Sequence, residues 1–536
     1  MALVIAGERS GVGKTTITLA ILACLQRRGL QVQSFKVGPD YIDPMFHQYV
    51  TGRASRNLDP VLTSLSYVQQ CFTRHIQGID YALVEGVMGL FDGVKVTGDW
   101  GLGTGKNDFE VKLDSEGAKN QINSHPIANH QILTDYASTA HIARILSLPV
   151  VLVIDCSRLS GSVAAIAHGY LSFDPRLKIA GVILNRVGSD RHLELLQDAL
   201  EPLHLPILGI LRRQDNITIR DRHLGLVPTD EIAELDSLID KLAYLGETCF
   251  NWELLLPLLK VETNSPQNQA EIPSIAPPLN KLPNPPSIPT NQDEIPSIAP
   301  PLNKGRGWGG VNAPPQNQGK NREGVRIAVA RDRAFNFYYQ DNLDQLQLGA
   351  ELIFWSPLTD TELPENVQGM YFGGGFPEVF AQELSNNTSA KEAVKKAILA
   401  GMPTYAECGG LMYLCEDIVN FEQQSYPMVG VLPTTAVMSS RLSLGYRIAI
   451  ALQDSPLLPR SATVWGHEFH RSELSKTPTQ PLYNLHSYSA HTSAKIEGWS
   501  LHQLHASYVH LHFGANPEIP LRFWQHCHQW QINAIT

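Results

Sequence analysis

The sequence predicts an α/β fold with two doubly wound, mostly parallel-sheet domains. Three observations indicate this fold. Short β-branched runs alternate with amphipathic stretches, a glycine-rich loop follows the first run, and a proline-rich segment separates two halves that repeat the alternation. Parallel strands need long crossover connections, which are usually helices. Apolar runs joined by such helices are therefore typical of a parallel sheet covered on both faces.

The predicted strands lie between amphipathic helices such as those at 17–28 and 138–146. In the N-terminal half the strands are 2–6, 32–37, 81–84, 150–154, 179–184 and 207–211. In the C-terminal half they are 326–330, 352–355, 369–372 and 402–406. Both halves contain enough apolar sequence to bury a core of their own, so we expect two globular domains.

The proline-rich segment sets the domain boundaries at 1–262, 263–323 and 324–536. It contains a direct repeat, because residues 271–281 recur at 294–304. Its composition is typical of a disordered, semi-extended linker. The alternative is a proline-rich ligand for a partner domain. A second polar stretch, at about 97–130, lacks periodicity and is predicted to be a surface insertion.

Composition excludes several classes of protein. The net charge is −10 and no block of like charge stands out, so we expect no binding to nucleic acid. No apolar run reaches the length of a membrane span, and the apolar N-terminus lacks the basic start of a signal peptide. The seven cysteines are scattered and never form C-x-x-C, which favours a reducing compartment. We therefore expect a cytoplasmic protein that does not bind membranes.

A phosphate site is predicted directly after the first strand, at residues 7–16 (G-E-R-S-G-V-G-K-T-T). Glycines let backbone N–H groups surround phosphate oxygens, and the following helix N-terminus favours negative charge. The strict G-x-x-x-x-G-K-[ST] pattern has glycine where Glu8 stands. The predicted ATP-binding residues are Gly11, Gly13, Lys14, Thr15 and Thr16.

Two acidic clusters follow the next strands, at 36–43 (K-V-G-P-D-Y-I-D) and 85–92 (E-G-V-M-G-L-F-D). Open α/β sheets bind ligands beyond the carboxyl ends of their strands. Carboxylates there can hold Mg²⁺ with ATP, and Lys36 can neutralise charge during phosphoryl transfer. For each carboxylate alone, a helix cap or a turn is the alternative role.

A nucleophile is predicted in the C-terminal half, where the strand at 402–406 leads into Glu407-Cys408-Gly409-Gly410 and a helix. We expect Cys408 to be exposed on a sharp turn, near a helix N-terminus that favours the thiolate. Its base comes from His510 or His512, which alternate along one strand and face the same side, so spacing does not choose between them. Another glycine turn, 373–378, can donate backbone N–H groups as an oxyanion hole. The predicted oxyanion and glutamine-site residues are Gly374, Gly375 and Gly409.

His467 and His470 raise the alternative of a metal site. Their H-E-F-H spacing differs from the H-E-x-x-H pattern of a zinc helix, which disfavours metal.

Together these motifs resemble the cobyrinic acid a,c-diamide synthase family. Residues 7–16, 36–43 and 85–93 are similar to its dethiobiotin-synthetase-like domain, a P-loop NTPase fold. Residues 373–378, 406–411 and 506–513 are similar to its cobyric-type, class I glutamine amidotransferase domain. The resemblance covers the chain except the linker and the insertion. It implies ATP- and glutamine-dependent amidation of the a and c carboxylates of cobyrinic or hydrogenobyrinic acid through an acyl-phosphate, in cobalamin biosynthesis.

The resemblance also implies residue roles. It selects His510 as the partner of Cys408, without a third, acidic triad member. The implied Mg²⁺ ligands are Thr15, Asp40 and Glu85. The implied catalytic residues are Cys408, His510, Lys36, Asp43 and Asp92. Of these, Asp43 and Asp92 are expected to contact the substrate or the ligands of the metal.

Some features depart from the family or leave alternatives open. Arg9 stands where related synthases have a small polar residue, and the insertion follows Asp92 directly. Nickel-sirohydrochlorin a,c-diamide synthase and cobyric acid synthase are close alternatives, and a homodimer is left open. A deviant P-loop partitioning ATPase is an alternative of another class, although it leaves Cys408 and the C-terminal half without a role.

Overall fold

The computed structural model describes residues 2–95, 134–213, 217, 219, 221–222, 225–261, 324–487, 494–514 and 516–535. The predicted linker, and the insertion predicted at about 97–130, lie outside the described residues. The two predicted α/β halves are confirmed, each with its own sheet. Within the described residues, no helix is both long and apolar enough to cross a bilayer.

The N-terminal half consists of a seven-stranded sheet, a two-stranded antiparallel sheet and eight α-helices within its described residues. Its strands are β1 (Leu3–Gly7), β2 (Val32–Val37), β3 (Arg56–Leu58), β4 (Tyr81–Glu85), β5 (Val150–Asp155), β6 (Ile179–Val187), β7 (Ile207–Arg212), β8 (Asp221–Arg222) and β9 (Gly225–Leu226). Its helices are α1 (Lys14–Arg27), α2 (Ile42–Thr51), α3 (Leu65–His75), α4 (Thr139–Ile145), α5 (Ser162–Phe173), α6 (Asp190–Leu200), α7 (Leu235–Cys249) and α8 (Trp252–Leu259).

The large N-terminal sheet is parallel throughout, with the order β3-β2-β4-β1-β5-β6-β7. The central strands are buried on both faces, as their unbroken apolar runs predict. Because β1, β2 and β4 are neighbours, the loops after their carboxyl ends share one edge of the sheet. That edge carries the phosphate loop and both acidic clusters.

The C-terminal half extends a parallel core with antiparallel strands. Its strands are β10 (Val325–Ala330), β11 (Ala350–Trp355), β12 (Gly369–Phe372), β13 (Thr404–Glu407), β14 (Cys415–Val419), β15 (Ser425–Pro427), β16 (Leu432–Ala451), β17 (Thr463–Leu474), β18 (Pro481–Ser487), β19 (Lys495–Leu501), β20 (Leu504–Ser507) and β21 (His510–Leu511). Its helices are α9 (Gln340–Gln347), α10 (Ala381–Asn386), α11 (Thr388–Leu399), α12 (Gly409–Leu414) and α13 (Glu518–Ile535).

In this second sheet, β11, β10, β12, β13 and β20 are parallel neighbours. The antiparallel strands β19, β18 and β16 continue it, and the long β16 pairs with β17. The sequence analysis did not predict this extension. It matters for the site, because β17 passes between the two halves of the molecule.

The two halves are docked through aromatic rings and charged groups. Tyr41, in the loop after β2, stacks on Phe337 with ring centroids 5.4 Å apart and planes 3° apart. Tyr446 of β16 donates a hydrogen bond to Asp59 (2.8 Å). Tyr67 of α3 donates to Asp341 of α9 (3.0 Å). The loop after β2 is thereby packed against the C-terminal half.

Candidate active sites

The phosphate loop has the backbone that its sequence predicts. Gly11 (φ 76°) and Gly13 (φ 96°) adopt left-handed conformations that favour glycine. A Cβ on Gly13 would lie 2.4 Å from Asn185 Nδ2, so no side chain fits there. Asn185, at the end of β6, donates to the carbonyl of Val12 (2.8 Å) and braces the loop. Glu8 does not have a positive φ, so the displaced glycine of the pattern is not sterically required here.

Arg9 has a structural partner that the sequence did not reveal. Its guanidinium donates to Asp155 Oδ2 at the end of β5 (2.9 Å), and Arg186 donates to the same oxygen (2.6 Å). Both arginines are at least partly exposed, and both stand at the rim of the phosphate loop. Arg9 thus ties the loop to the neighbouring strand.

Lys36 is the centre of a buried ion network. Its Nζ donates to Asp43 Oδ2 (2.5 Å) and Glu85 Oε1 (3.0 Å), and it lies 3.8 Å from Asp40 Oδ2. Thr15 Oγ1 donates to the same oxygen of Glu85 (2.6 Å). The structure therefore brings together five residues that the sequence analysis had selected from three separate segments of the chain.

Charge coupling within this network has opposite effects on two carboxyls. Burial alone would raise the pKa of Glu85, but Lys36 and His47 hold it well below its usual range. The pKa of Asp43 is raised by burial and by the negative charges of Asp40 and Glu85. Glu85 is thus the ionised member of the pair, and Asp43 is the one that more readily accepts a proton.

His47 is a residue of this site that the sequence analysis missed. It is fully buried on α2, and its Nε2 lies 2.7 Å from Glu85 Oε2. Its Nδ1 lies 3.2 Å from Ser55 Oγ. The available signal was its spacing, since it follows Asp43 by four residues and shares a helix face with it.

Lys14 lies over the loop and faces the segment after β4. Its Nζ donates to the carbonyls of Arg9 (3.2 Å) and Met88. Burial and the neighbouring Lys36 lower the pKa of Lys14 to about 8. Met88 has a left-handed φ of 46°, which is unusual for a residue with a side chain.

A pocket of about 570 Å³ unites the phosphate loop with the acidic cluster. Residues of both halves line it, including Lys14, Thr15, Lys36, Asp40, Glu85 and, from β17, Phe469.

Asp92 is not among the lining residues of this pocket. Its Oδ2 instead accepts a hydrogen bond from the N–H of Gly89 (2.7 Å), which is the turn role stated as its alternative. Asp40 caps a helix and also belongs to the acidic cluster. Its Oδ1 accepts a hydrogen bond from the N–H of Ile42 (2.9 Å), while its Oδ2 faces Lys36.

Cys408 occupies a strained turn between β13 and α12. Its φ of 51° and ψ of −105° are sparsely populated for a residue with a side chain. Its N–H donates to the carbonyl of Ser507 on β20 (2.8 Å), which holds the turn against the sheet. A Cβ on Gly410 would lie 2.5 Å from the carbonyl oxygen of Phe372, so glycine is required where the helix starts.

The expectation that Cys408 is exposed is wrong. The residue is only 5% exposed, and the carbonyl oxygen of Phe469 lies 4.0 Å from its Sγ. The reason is β17, which the sequence analysis did not predict and which covers the turn. Phe469 therefore belongs to both sites, because its carbonyl lies beside the thiol and the residue also lines the pocket at the phosphate loop.

The structure places His510, and not His512, beside Cys408. Burial alone would lower the pKa of His510, but Cys408 and Glu407 raise it to about 10. His512 Nε2 lies 3.9 Å from Asp341 Oδ2, and its ring packs on Tyr339 (centroids 4.7 Å apart). The two histidines line the same aromatic cluster, but His510 lies beside the thiol and His512 lies at the contact between the halves.

The glycine turn after β12 lies against this pair. A Cβ on Gly374 would come within 2.6 Å of His510 Cε1, and one on Gly409 within 3.1 Å of the backbone nitrogen of Gly375. Gly375 has a φ of 154°, and a Cβ there would meet the carbonyl of Ala334 at 2.1 Å. All three predicted oxyanion glycines thus lie close to Cys408 or His510, with Gly409 next to Cys408 in the chain and Gly374 against the His510 ring.

The two histidines of β17, His467 and His470, do not come together as metal ligands. His467 stacks on His510, whereas His470 stacks on Tyr508 (centroids 4.9 and 3.9 Å apart). Glu468 accepts a hydrogen bond from Arg447 (2.6 Å). Elsewhere in the described chain, His75, Asp341 and Asp344 are spaced as metal ligands could be. Arg56 already pairs with both of those aspartates (3.4 and 2.5 Å).

Comparisons with known proteins agree with this division into two sites. Residues 3–226 match the family model of the CobQ/CobB/MinD/ParA nucleotide binding domain. Residues 326–518 match that of the CobB/CobQ-like glutamine amidotransferase domain.

Curated relatives match along nearly the whole chain. A cobyrinate a,c-diamide synthase of Synechococcus sp. is 54% identical, with 99% of both chains covered. One of Synechocystis sp. is 47% identical, with 99% of this chain and 94% of the relative covered. A hydrogenobyrinate a,c-diamide synthase of Streptomyces coelicolor is 38% identical, with 98% and 97% covered.

Proposed function

The chain belongs to the cobyrinate a,c-diamide synthase family, and from that premise we propose that it amidates the a and c carboxylates of cobyrinic or hydrogenobyrinic acid. ATP activates each carboxylate and glutamine supplies the ammonia. One observation carries this proposal: Tyr41, the neighbour of Asp40, packs on the ring of His510 with centroids 5.2 Å apart. The phosphate site and the thiol site thus share one wall.

Carboxylate activation takes place in the N-terminal pocket. A carboxylate is a poor electrophile, so the γ-phosphoryl group of ATP is transferred to its oxygen and creates a leaving group. Positioning and charge stabilisation are the main contributions of a protein to this step. Lys14 and the loop N–H groups hold the phosphates, and Lys36 offsets negative charge that gathers between ATP and the carboxylate.

The donor set of this pocket fits Mg²⁺. Thr15, Asp40 and Glu85 present a hydroxyl and two carboxylates, and the ammonium of Lys36 already lies among those oxygens, which indicates an excess of negative charge. Bound with ATP, Mg²⁺ would neutralise phosphate charge at these three residues. Asp43 and Lys36 orient the substrate carboxylate.

Glutamine is hydrolysed at Cys408. The thiolate attacks the side-chain amide carbon, His510 gives a proton to the departing nitrogen, and ammonia leaves a thioester that water hydrolyses. Backbone N–H groups of the glycine turn stabilise the tetrahedral oxyanion. The strained turn holds the sulfur in place throughout.

Ammonia then attacks the acyl-phosphate carbon, and phosphate leaves. Tyr41, Phe337 and Phe376 pack in one hydrophobic cluster between the sites, so ammonia crosses an apolar wall where protonation is unfavourable. Burial and the nearby His510 keep the pKa of His467 well below its usual range, so His467 itself adds no charge to this wall.

The proposal is tested by mass spectrometry of the product. The full chain is supplied with ATP, Mg²⁺, glutamine and, in separate reactions, cobyrinate, hydrogenobyrinate or nickel-sirohydrochlorin. We expect two successive acid-to-amide conversions with one of the first two substrates. Amidation of nickel-sirohydrochlorin alone would contradict the choice of macrocycle. ATP hydrolysis without glutaminase activity would support a partitioning-type ATPase instead.

A further inference from the structure

Glu407, which directly precedes the nucleophile, is a fully buried carboxylate with an unusual set of partners. Tyr371 donates to its Oε1 (2.7 Å) and Tyr405 to its Oε2 (2.5 Å). These hydroxyls come from the neighbouring strand β12 and from β13 itself. The carboxylate is therefore held in one orientation by two neutral donors.

The basic partner of this carboxylate is His510. Among the described residues, His510 is the one basic side chain within ion-pair distance of Glu407, with Nδ1 3.7 Å from Oε2. This Nδ1 is buried and has no hydrogen-bond partner among the residues that the structure describes. A buried ring nitrogen without a partner is costly, so its position beside a fixed carboxylate calls for an explanation.

We infer that Glu407 is the positioning residue of the glutaminase, and that it holds His510 through Nδ1 while the other ring nitrogen serves Cys408. In a catalytic triad the acid orients the histidine and stabilises the imidazolium that forms when the thiol is deprotonated. Here the acid would come from the residue before the nucleophile, on the same strand. This inference rests on the proposed glutaminase.

The sequence around His510 explains why this acid was missed. Position 512, where an acid would follow the histidine by two residues, is itself a histidine that faces Asp341. Glu407 instead approaches Nδ1 of His510 from the end of β13. Its backbone is joined to that of Cys408, so the acid and the nucleophile move as one unit.

The electrostatics of His510 agree with this geometry. Burial would lower its pKa, yet Cys408 and Glu407 raise it to about 10. The other titratable groups that face this pair are phenols and a neutral imidazole, which do not supply the negative charge. They are Tyr41, Tyr338, Tyr339, Tyr371, Tyr405, Tyr483 and His467.

The test is Glu407→Gln, which preserves the shape of the side chain and removes its charge. Glutaminase kcat should fall by about 10²–10⁴-fold with little change in KM. The alkaline limb of the kcat/KM profile, set by loss of the His510 proton, should move to lower pH. Amidation with ammonium salts should stay at the wild-type rate, which shows that the chain is folded.

Glu407→Asp keeps the charge at a greater distance and serves if the glutamine variant does not fold. We expect an intermediate rate and an alkaline limb that lies between those of the wild type and Glu407→Gln. Wild-type glutaminase rates in the variants, or an unshifted limb in Glu407→Gln, would overturn the inference. Cys408→Ser run in parallel separates the two failures: if it is inactive while Glu407→Gln is normal, only the role of Glu407 is wrong.

Discussion

The two sites of this protein differ in how they use charge. In the N-terminal site, Lys36 lies within 3.0 Å of both Asp43 and Glu85, in a buried network of opposite charges. In the C-terminal site, Cys408 and His510 are enclosed by aromatic rings and by the carboxylate of Glu407. ATP and a carboxylate are both anions, and their reaction needs fixed positive charges that stabilise the negative charge of the transition state. The glutamine amide is neutral, and its hydrolysis needs a group that transfers a proton. The polarity of each site thus follows the charge of its substrate.

The strongest test of this contrast removes the thiol. Cys408→Ser should lose glutamine-dependent amidation by about 10⁴-fold or more, because a serine hydroxyl is not ionised by this histidine. Amidation with ammonium salts at high pH should persist, since free ammonia reaches the acyl-phosphate without the second site. Amidation rates measured in parallel with glutamine and with ammonium salts test the expected loss and the expected persistence.

The histidines provide the matched control for that experiment. His510→Ala should reproduce the phenotype of Cys408→Ser, whereas His512→Ala should be milder because its ring faces Asp341. Full loss in His512→Ala alone would reverse the assignment of the base.

Removing a charged side chain from the phosphate site should strongly reduce amidation and leave glutamine hydrolysis intact. Lys14→Ala should reduce amidation by about 10³-fold with either nitrogen source, because the lysine holds the phosphates that activate the carboxylate. Asp40→Asn should act in the same direction. Glutaminase activity should remain in both variants, and ammonia release reports it. Normal ammonium-dependent amidation in Lys14→Ala would remove the phosphate loop from the reaction.

A smaller effect is expected at the wall between the sites. Tyr41→Ala opens the contact with His510 and Phe337, so glutamine-dependent amidation should fall by about 10- to 100-fold relative to ammonium-dependent amidation. More glutamine should then be hydrolysed per amide formed. Tyr41→Phe is the matched control, because it keeps the ring. Equal loss with both nitrogen sources would show that Tyr41 acts on carboxylate activation only.

The smallest effect is expected in the linker. Replacing residues 263–323 with a short flexible tether should leave turnover nearly unchanged. A flexible chain of about 60 residues spans roughly 40–45 Å, more than docked domains require. Steady-state rates with glutamine, compared with thermal unfolding, would show whether a loss of activity occurs while the fold is intact.

Local sequence predicted the elements whose geometry depends on neighbouring residues. The phosphate loop needs glycine at position 13 because Asn185 leaves no space, and the turn at Cys408 needs Gly410 because Phe372 lies behind it. Both appear in the sequence as strand, glycine turn and helix. The parallel core of each half was predictable for the same reason, since short apolar runs recur at regular spacing.

What the sequence alone determined was therefore the fold class, the phosphate loop and the strand, turn and helix that carry Cys408. The spacing left His510 and His512 open and the family resemblance selected His510. The tertiary structure placed His510 beside Cys408, and it alone decided that His47 contacts Glu85 and that β17 buries the thiol. It also placed Glu407 beside His510, although 103 residues separate them in the chain. The physical reason is that turns and helix starts depend on residues close in sequence, whereas charge pairs and burial depend on which distant strands become neighbours.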